Sequence, residues 1–171
     1  MSEKPFFQSE LTGAIAEFLN GIGIRAMPAR LEAETFLPGI MVKNGTLLVD
    51  EAKLLFPGDL LHEAGHLAVA PAALRETLSD EVILPEFNLD ALETQAIAWS
   101  YAACLHLSID PRVVFHENGY KGNSESLLLG FSLGVFPGLS GLEENRMAYS
   151  EIKSREIGVL PFPNMQKWLR D

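Results

Sequence analysis

The pentapeptide His62-Glu63-Ala64-Gly65-His66 has the HExxH spacing that hydrolytic zinc sites use on a helix. A step of four residues places both imidazoles on one helical face, where they can bind the same metal ion. The glutamate after the first histidine is then placed to act as a general base toward a metal-activated water molecule. Because only three positions of the motif are fixed, the pattern also recurs by chance, and other residues must complete the site.

Three features of the surrounding sequence favour a metal site over an exposed helix with merely polar residues. Two of the four histidines lie in this pentapeptide. Apolar residues flank it on both sides, and Gly65 stands in the middle of the predicted helix although glycine costs about 1 kcal/mol relative to alanine there. A close neighbour that leaves no room for a side chain would explain this glycine.

A catalytic zinc site takes three protein ligands and leaves one position open, so a third ligand is needed. Glu93 is the first candidate because it lies near the start of an apolar segment, and small residues (Ala96, Ser100 and Cys104) continue along its helical face. Burying such a carboxylate costs several kcal/mol unless a cation offsets it.

Glu93 also has an alternative interpretation. Asp90-Ala91-Leu92-Glu93 fits a capping box, in which Glu93 would fold back to the helix N-terminus in solvent. The other candidates for the third ligand are acidic residues of the intervening segment and two later histidines: Asp80, Glu81, Glu86, Asp90, His106 and His116.

Composition limits the classes of function. The chain has 171 residues, 47% hydrophobic residues and a formal net charge of −10, which suit one globular domain and argue against nucleic acid or an anionic membrane surface as partner. The single cysteine, Cys104, excludes an internal disulfide. The sequence begins without the basic and apolar regions of a signal peptide, and its uncharged runs are too short for a membrane span. These features predict a cytoplasmic protein.

Local signals predict the elements that must position the motif. Ser9 caps a first helix that Asn20-Gly21 should end, and Asn44-Gly45 is the turn of a hairpin between residues 40–43 and 46–49. Asp59 is the predicted N-cap of a motif helix that runs from about Leu60 to Ala70.

A second helix should start near Asn88 or Asp90 and run through Leu105, buried because it is apolar on nearly all sides. After it, Asp110-Pro111 opens a short helix, another helix follows Ser124, and the aromatic residues of segment 161–169 should pack back onto the core. The prediction is a single domain over residues 1–171, in which the portion from about residue 108 has no assigned role.

The order of an N-terminal helix, the hairpin GIMVKNGTLLVD, the motif LLHEAGHLAVA and the segment LETQAIAW resembles the ImmA/IrrE-like metallopeptidases, which are gluzincin-type zincins. The resemblance covers residues 39–104. It implies that His62, His66 and Glu93 bind Zn²⁺ and that Glu63 is catalytic. It further implies an α+β, zincin-like fold in which a small antiparallel sheet or hairpin packs on helices, with the motif helix and the second buried helix forming the core.

The predicted function is zinc-dependent hydrolysis of a peptide or protein substrate, with a possible regulatory role. The tetrahedral oxyanion formed during hydrolysis needs a hydrogen-bond donor in addition to zinc. His116 and Tyr120, in a predicted loop, are favoured for this role over Tyr101 and His106. By analogy with zincins, an edge strand of the hairpin would hold an extended peptide. The alternatives are a zinc-binding interaction or sensor module without hydrolysis and a metal-free structural protein.

Overall fold

The structure, a computed structural model, describes residues 7–80 and 89–171. Within these residues the chain is α+β, with seven α-helices and a three-stranded sheet. None of the described helices is both long and apolar enough to cross a bilayer. The elements are α1 (Glu10–Ile22), β1 (Arg25–Pro28), β2 (Ile40–Lys43), β3 (Thr46–Val49), α2 (Asp59–Val69), α3 (Ala72–Arg75), α4 (Leu89–His106), α5 (Ser124–Ser132), α6 (Leu139–Glu144) and α7 (Glu151–Ile157), with 3₁₀ turns at Pro111–Val113 and Tyr120–Gly122.

The sheet is mixed, with the strand order β1-β3-β2. The predicted hairpin is confirmed: β2 and β3 pair antiparallel around Asn44 and Gly45, which both have positive φ angles (48° and 68°). A small antiparallel sheet or a hairpin was predicted; the observed sheet contains the hairpin but is mixed, because β1 adds to β3 in parallel. A four-residue strand that ends in Pro28 carries little local β signal, and its place depends on packing against α1.

Both edges of the sheet are partly occupied by other parts of the chain. On the β1 side, the Asn20 side chain bonds the N–H and the C=O of Ala26, as a neighbouring strand would. On the β2 side, the Val42 N–H donates to the Asp80 carboxylate and the Val42 C=O accepts from the Asp80 N–H. A peptide that added to β2 at this residue would therefore have to displace Asp80.

Helix α1 starts as predicted and ends later than predicted. The Ser9 hydroxyl accepts a hydrogen bond from the Thr12 N–H, which confirms the N-cap. The predicted stop at Asn20-Gly21 is wrong, because the helix continues to Ile22 and ends at Gly23, whose φ is 99°. Asn20 does not end the helix because its side chain is used to hold β1.

Helices α2 and α4 pack directly against each other in the core, as predicted. The Ser100 hydroxyl of α4 lies 3.2 Å from the Leu61 carbonyl oxygen of α2. A Cβ atom on Gly65 would lie 2.9 Å from the Ala96 carbonyl oxygen and 3.2 Å from the Ala96 Cα. The close neighbour predicted for Gly65 is therefore confirmed, and it is the backbone of α4.

The C-terminal part of the chain packs on the same hydrophobic cluster as α2 and α4. The Trp168 ring contacts the rings of Phe18, Trp99 and His106, and the Trp99 indole N–H donates to the Trp168 carbonyl at 2.9 Å. The predicted return of the aromatic C-terminal segment to the core is confirmed. Asp110 also caps the turn at Pro111–Val113, although this turn is a 3₁₀ helix and shorter than predicted.

Candidate metal centre

Three side chains converge at one point between α2 and α4. The Nε2 atoms of His62 and His66 are 3.1 Å apart. Glu93 reaches both of them, with Oε1 3.6 Å from His62 Nε2 and Oε2 3.1 Å from His66 Nε2. Ligands bound about 2.0 Å from a tetrahedral zinc ion are roughly 3.3 Å apart, so these separations suit one metal ion.

The packing of the two helices explains why Glu93 reaches the histidines. Gly65 of α2 and Ala96 of α4 approach each other closely. Gly65 is next to His66 in α2, and Ala96 lies one helical turn after Glu93 in α4. The capping-box alternative is not what the structure shows. Helix α4 already includes Asp90, and the Glu93 carboxylate points to the imidazoles.

A second carboxylate lies close to the imidazole pair. His62, Glu63 and His66 each offer a potential ligand atom, and these atoms all lie within 4.8 Å of one another. Both glutamates are thus close enough to be ligands. Glu93 is the better placed of the two for a metal shared by both histidines, because one of its oxygens contacts Nε2 of His62 and the other contacts Nε2 of His66.

The environments of the two glutamates support this division. Burial raises the pKa of Glu63 to about 7, with smaller contributions from the charges of nearby acidic residues. The hydrogen bond with His66 lowers the pKa of Glu93 below its ordinary value, and the charges of His62 and Lys121 act in the same direction. Two carboxyl groups whose pKa values are pushed apart suit different tasks: Glu63 suits proton transfer, and an ionised Glu93 suits metal binding.

The two histidines differ in their surroundings. Burial, followed by the charge of His66, lowers the pKa of His62 to about 4, which favours the neutral imidazole that a metal requires. For His66, burial acts to lower the pKa, but the hydrogen bond with Glu93 and the charges of both glutamates outweigh it and raise the value. A bound cation would take the place of the proton that His66 shares with Glu93.

Tyr120 reaches the centre from the segment whose role the sequence left open. Its hydroxyl lies 3.0 Å from Nδ1 of His62, and the two rings meet edge to face with centroids 5.3 Å apart. Burial, together with the charges of Glu93 and Asp59, raises the Tyr120 pKa, which keeps the phenol neutral. The predicted role of Tyr120 as a donor to the oxyanion stays a prediction.

His116 lies beside the first turn of α2. Its Nε2 is 3.0 Å from the Asp59 carboxylate, and its ring stacks on Phe56 at 3.8 Å. Among the described residues, no group bonds the buried Nδ1 of His116. The prediction that Asp59 is the N-cap of α2 is wrong: Gly58 is the N-cap, and the Asp59 side chain pairs with His116.

The site opens into a cleft of about 720 Å³. All six predicted site residues line it, together with Asp59 and an apolar side formed by loop residues. The full lining is Phe36, Leu37, Pro38, Phe56, Asp59, His62, Glu63, His66, Glu93, His116, Asn118, Gly119, Tyr120 and Lys121. Asp59 and Phe56 were not predicted as site residues, although Asp59 lies three and four residues before His62 and Glu63 and so shares their helical face.

The other candidates lie elsewhere or are not described. The Tyr101 ring stacks on Phe131, and His106 packs between Phe18 and Trp168. Asp80 bonds to β2, and Asp90 is exposed. Glu81, Glu86 and the alternative helix start at Asn88 fall outside the described residues.

Comparison with known proteins adds no relative. No protein-family model matches the chain, and neither curated proteins nor solved structures give a significant match.

Proposed function

We propose that this protein is a zinc-dependent peptidase with a zincin-like, ImmA/IrrE-like arrangement. The observation that supports the proposal most is the contact of one carboxylate, Glu93, with the Nε2 atoms of both motif histidines. The order of the elements also agrees with it, because a hairpin precedes the motif helix and a second buried helix supplies the glutamate. A cytoplasmic location stays a prediction.

His62, His66 and Glu93 would hold the metal. When bound there, zinc supplies a Lewis acid that lowers the pKa of water and polarises a peptide carbonyl. Glu63 takes a proton from the attacking water and passes it to the leaving amine. Burial raises the pKa of Glu63 in the metal-free chain, which suits a group that must both take up and release a proton.

The cleft gives a peptide access to this chemistry. Its lining includes the apolar residues Phe36, Leu37 and Phe56, together with Glu63 and the three proposed ligands. Because Asp80 occupies the β2 edge at Val42, the predicted strand addition applies only if Asp80 is displaced. His116 and Tyr120, the two predicted donors to the oxyanion, both line the cleft.

The test combines metal content with a matched pair of glutamate substitutions. Protein purified without chelator should contain about one equivalent of zinc, as one site of this type requires. Glu63→Gln should keep the zinc and lose cleavage of a peptide library, scored by mass spectrometry, by about 10² to 10⁴-fold. The control is Glu144→Gln on the exposed face of α6, which should change neither property.

The outcomes separate the proposed function from its alternatives. Zinc in the wild type, with no cleavage that depends on Glu63, would support a metal-binding interaction or sensor module. Less than about half an equivalent of zinc would contradict the single-metal site itself.

A further inference from the structure

We propose that Tyr120 is a positioning residue of the metal centre, which accepts a hydrogen bond from Nδ1–H of His62 and so directs Nε2 toward the metal. This inference rests on the proposed function and adds a residue outside the motif to the site. It gives Tyr120 a task that is distinct from contact with the substrate.

The contact is specific to one of the two histidine ligands. The Tyr120 hydroxyl lies 3.0 Å from His62 Nδ1, while His62 Nε2 faces His66 and Glu93. The side chain of His66 is more exposed, 34% against 15% for His62. The orientation of His66 is set by its contact with Glu93, whereas that of His62 is set from behind by Tyr120.

The backbone around Tyr120 shows that this placement is imposed. Tyr120, Lys121 and Gly122 have successive φ angles of 53°, 55° and 80°, and only the last of these residues is a glycine. Side chains with a Cβ atom disfavour this left-handed region, so such a conformation persists only where surrounding contacts fix it. The Phe115 ring packs 5.1 Å from the Tyr120 ring, and the Ser124 hydroxyl donates to the carbonyls of His116 (2.6 Å) and Gly119 (3.4 Å), the latter next to Tyr120 in the chain.

The hydrogen bond also determines which nitrogen of His62 is available. A neutral imidazole carries its proton on one nitrogen and offers the other as a ligand. With the phenol oxygen as acceptor at Nδ1, the proton stays there and the lone pair of Nε2 faces the metal site. Partners of this kind typically contribute 10 to 100-fold to metal affinity.

The test uses two substitutions that each remove a single tyrosine hydroxyl. Zinc affinity of the whole chain is measured by competition with a chromophoric chelator, and the Co²⁺-loaded protein gives a visible spectrum of the ligand field. Tyr120→Phe should weaken zinc binding about 10 to 100-fold and alter the Co²⁺ spectrum. Tyr101→Phe, which changes a ring stacked on Phe131 away from the cleft, should change neither.

Equal zinc affinity in Tyr120→Phe and the wild type would overturn the inference and leave the metal centre intact. Equal losses in both tyrosine variants would also overturn it, because they would indicate a general loss of stability. Absence of zinc from the wild type would overturn the proposed function, and this role with it.

A measurement on the zinc-loaded wild type applies even if Tyr120→Phe does not fold. Long-range ¹H–¹⁵N spectra of the four histidines should show His62 protonated at Nδ1 and coordinated through Nε2. Its ring proton should exchange with solvent more slowly than that of His66. Coordination of His62 through Nδ1, or equal exchange of the two protons, would overturn the inference.

Discussion

Substitution of Gly65 by alanine tests whether the close contact of α2 with α4 sets the geometry of the proposed metal centre. In an open helix this change is favourable by about 1 kcal/mol, because alanine has the higher helix propensity. Here the added Cβ would lie 2.9 Å from the Ala96 carbonyl oxygen and 3.2 Å from the Ala96 Cα. Because both atoms belong to the backbone of α4, the contact can be relieved only by moving a helix.

The magnitude follows from these opposing effects. Overpacking in a well-packed core costs typically 1 to 3 kcal/mol. After subtraction of the gain in helix propensity, Gly65→Ala should lower the free energy of unfolding by up to about 2 kcal/mol. Since Glu93 lies on α4 and the histidines on α2, a shift of the helices also lengthens the Glu93 contacts and weakens zinc binding.

Gly21→Ala is the matched control. Gly21 is also a helical glycine, in α1, but a Cβ there meets no atom within 4 Å. It should therefore raise the free energy of unfolding by about 0.5 to 1 kcal/mol. Urea denaturation of the zinc-free proteins measures both changes, and Gly65→Ala should be at least about 1 kcal/mol less stable than the control variant. An equal stabilisation of the two variants would refute the argument that α4 excludes a side chain at residue 65.

Three further predictions follow from other contacts. Zinc at about 100 times its dissociation constant should raise the free energy of unfolding by about 2.7 kcal/mol, which corresponds to a rise in melting temperature of roughly 5 to 11 °C. A chelator should reverse this rise, and an unchanged melting temperature would count against a specific site. Gly58→Ala should lower the free energy of unfolding by at least about 1 kcal/mol, because its Cβ would lie 2.1 Å from the Val113 carbonyl oxygen, and a neutral result in urea denaturation would contradict this packing. Asn20→Ala should cost about 1 to 3 kcal/mol, because both backbone groups of Ala26 lose their partner, and faster hydrogen exchange at the Ala26 amide should accompany the loss; unchanged exchange would show that water replaces the side chain.

Local patterns predicted the parts of the site that belong to single helices. The four-residue spacing placed His62 and His66 together, and the cost of a helical glycine predicted the neighbour of Gly65. The position of Glu93 could only be proposed, because its contact with the histidines depends on how α4 crosses α2. Asp90-Glu93 fitted a capping box equally well until the structure placed the start of α4 before Asp90.

Features that depend on distant contacts could not be predicted in this way. Strand β1 is held by β3 and by the Asn20 side chain, and neither contact leaves a local pattern in four residues. The left-handed conformation of Tyr120 and Lys121 runs against the preference of both residues. The pairing of Asp59 with His116 joins residues 57 positions apart, so that Asp59 looked like an N-cap in the sequence.

The contact that the sequence predicted and the contact that it could not predict involve different nitrogen atoms of the His62 imidazole. Helix geometry brings His62 Nε2 near His66, and the approach of α4 adds Glu93 on that side. Tyr120 acts on the opposite nitrogen, from a segment about 58 residues further along the chain. Because two ligands on one helix would restrict only part of the coordination sphere of a metal ion, the proposed third ligand and the orientation of His62 would have to come from tertiary packing. Substitutions at Gly65 and Tyr120 should therefore weaken metal binding while His62, Glu63 and His66 are unchanged.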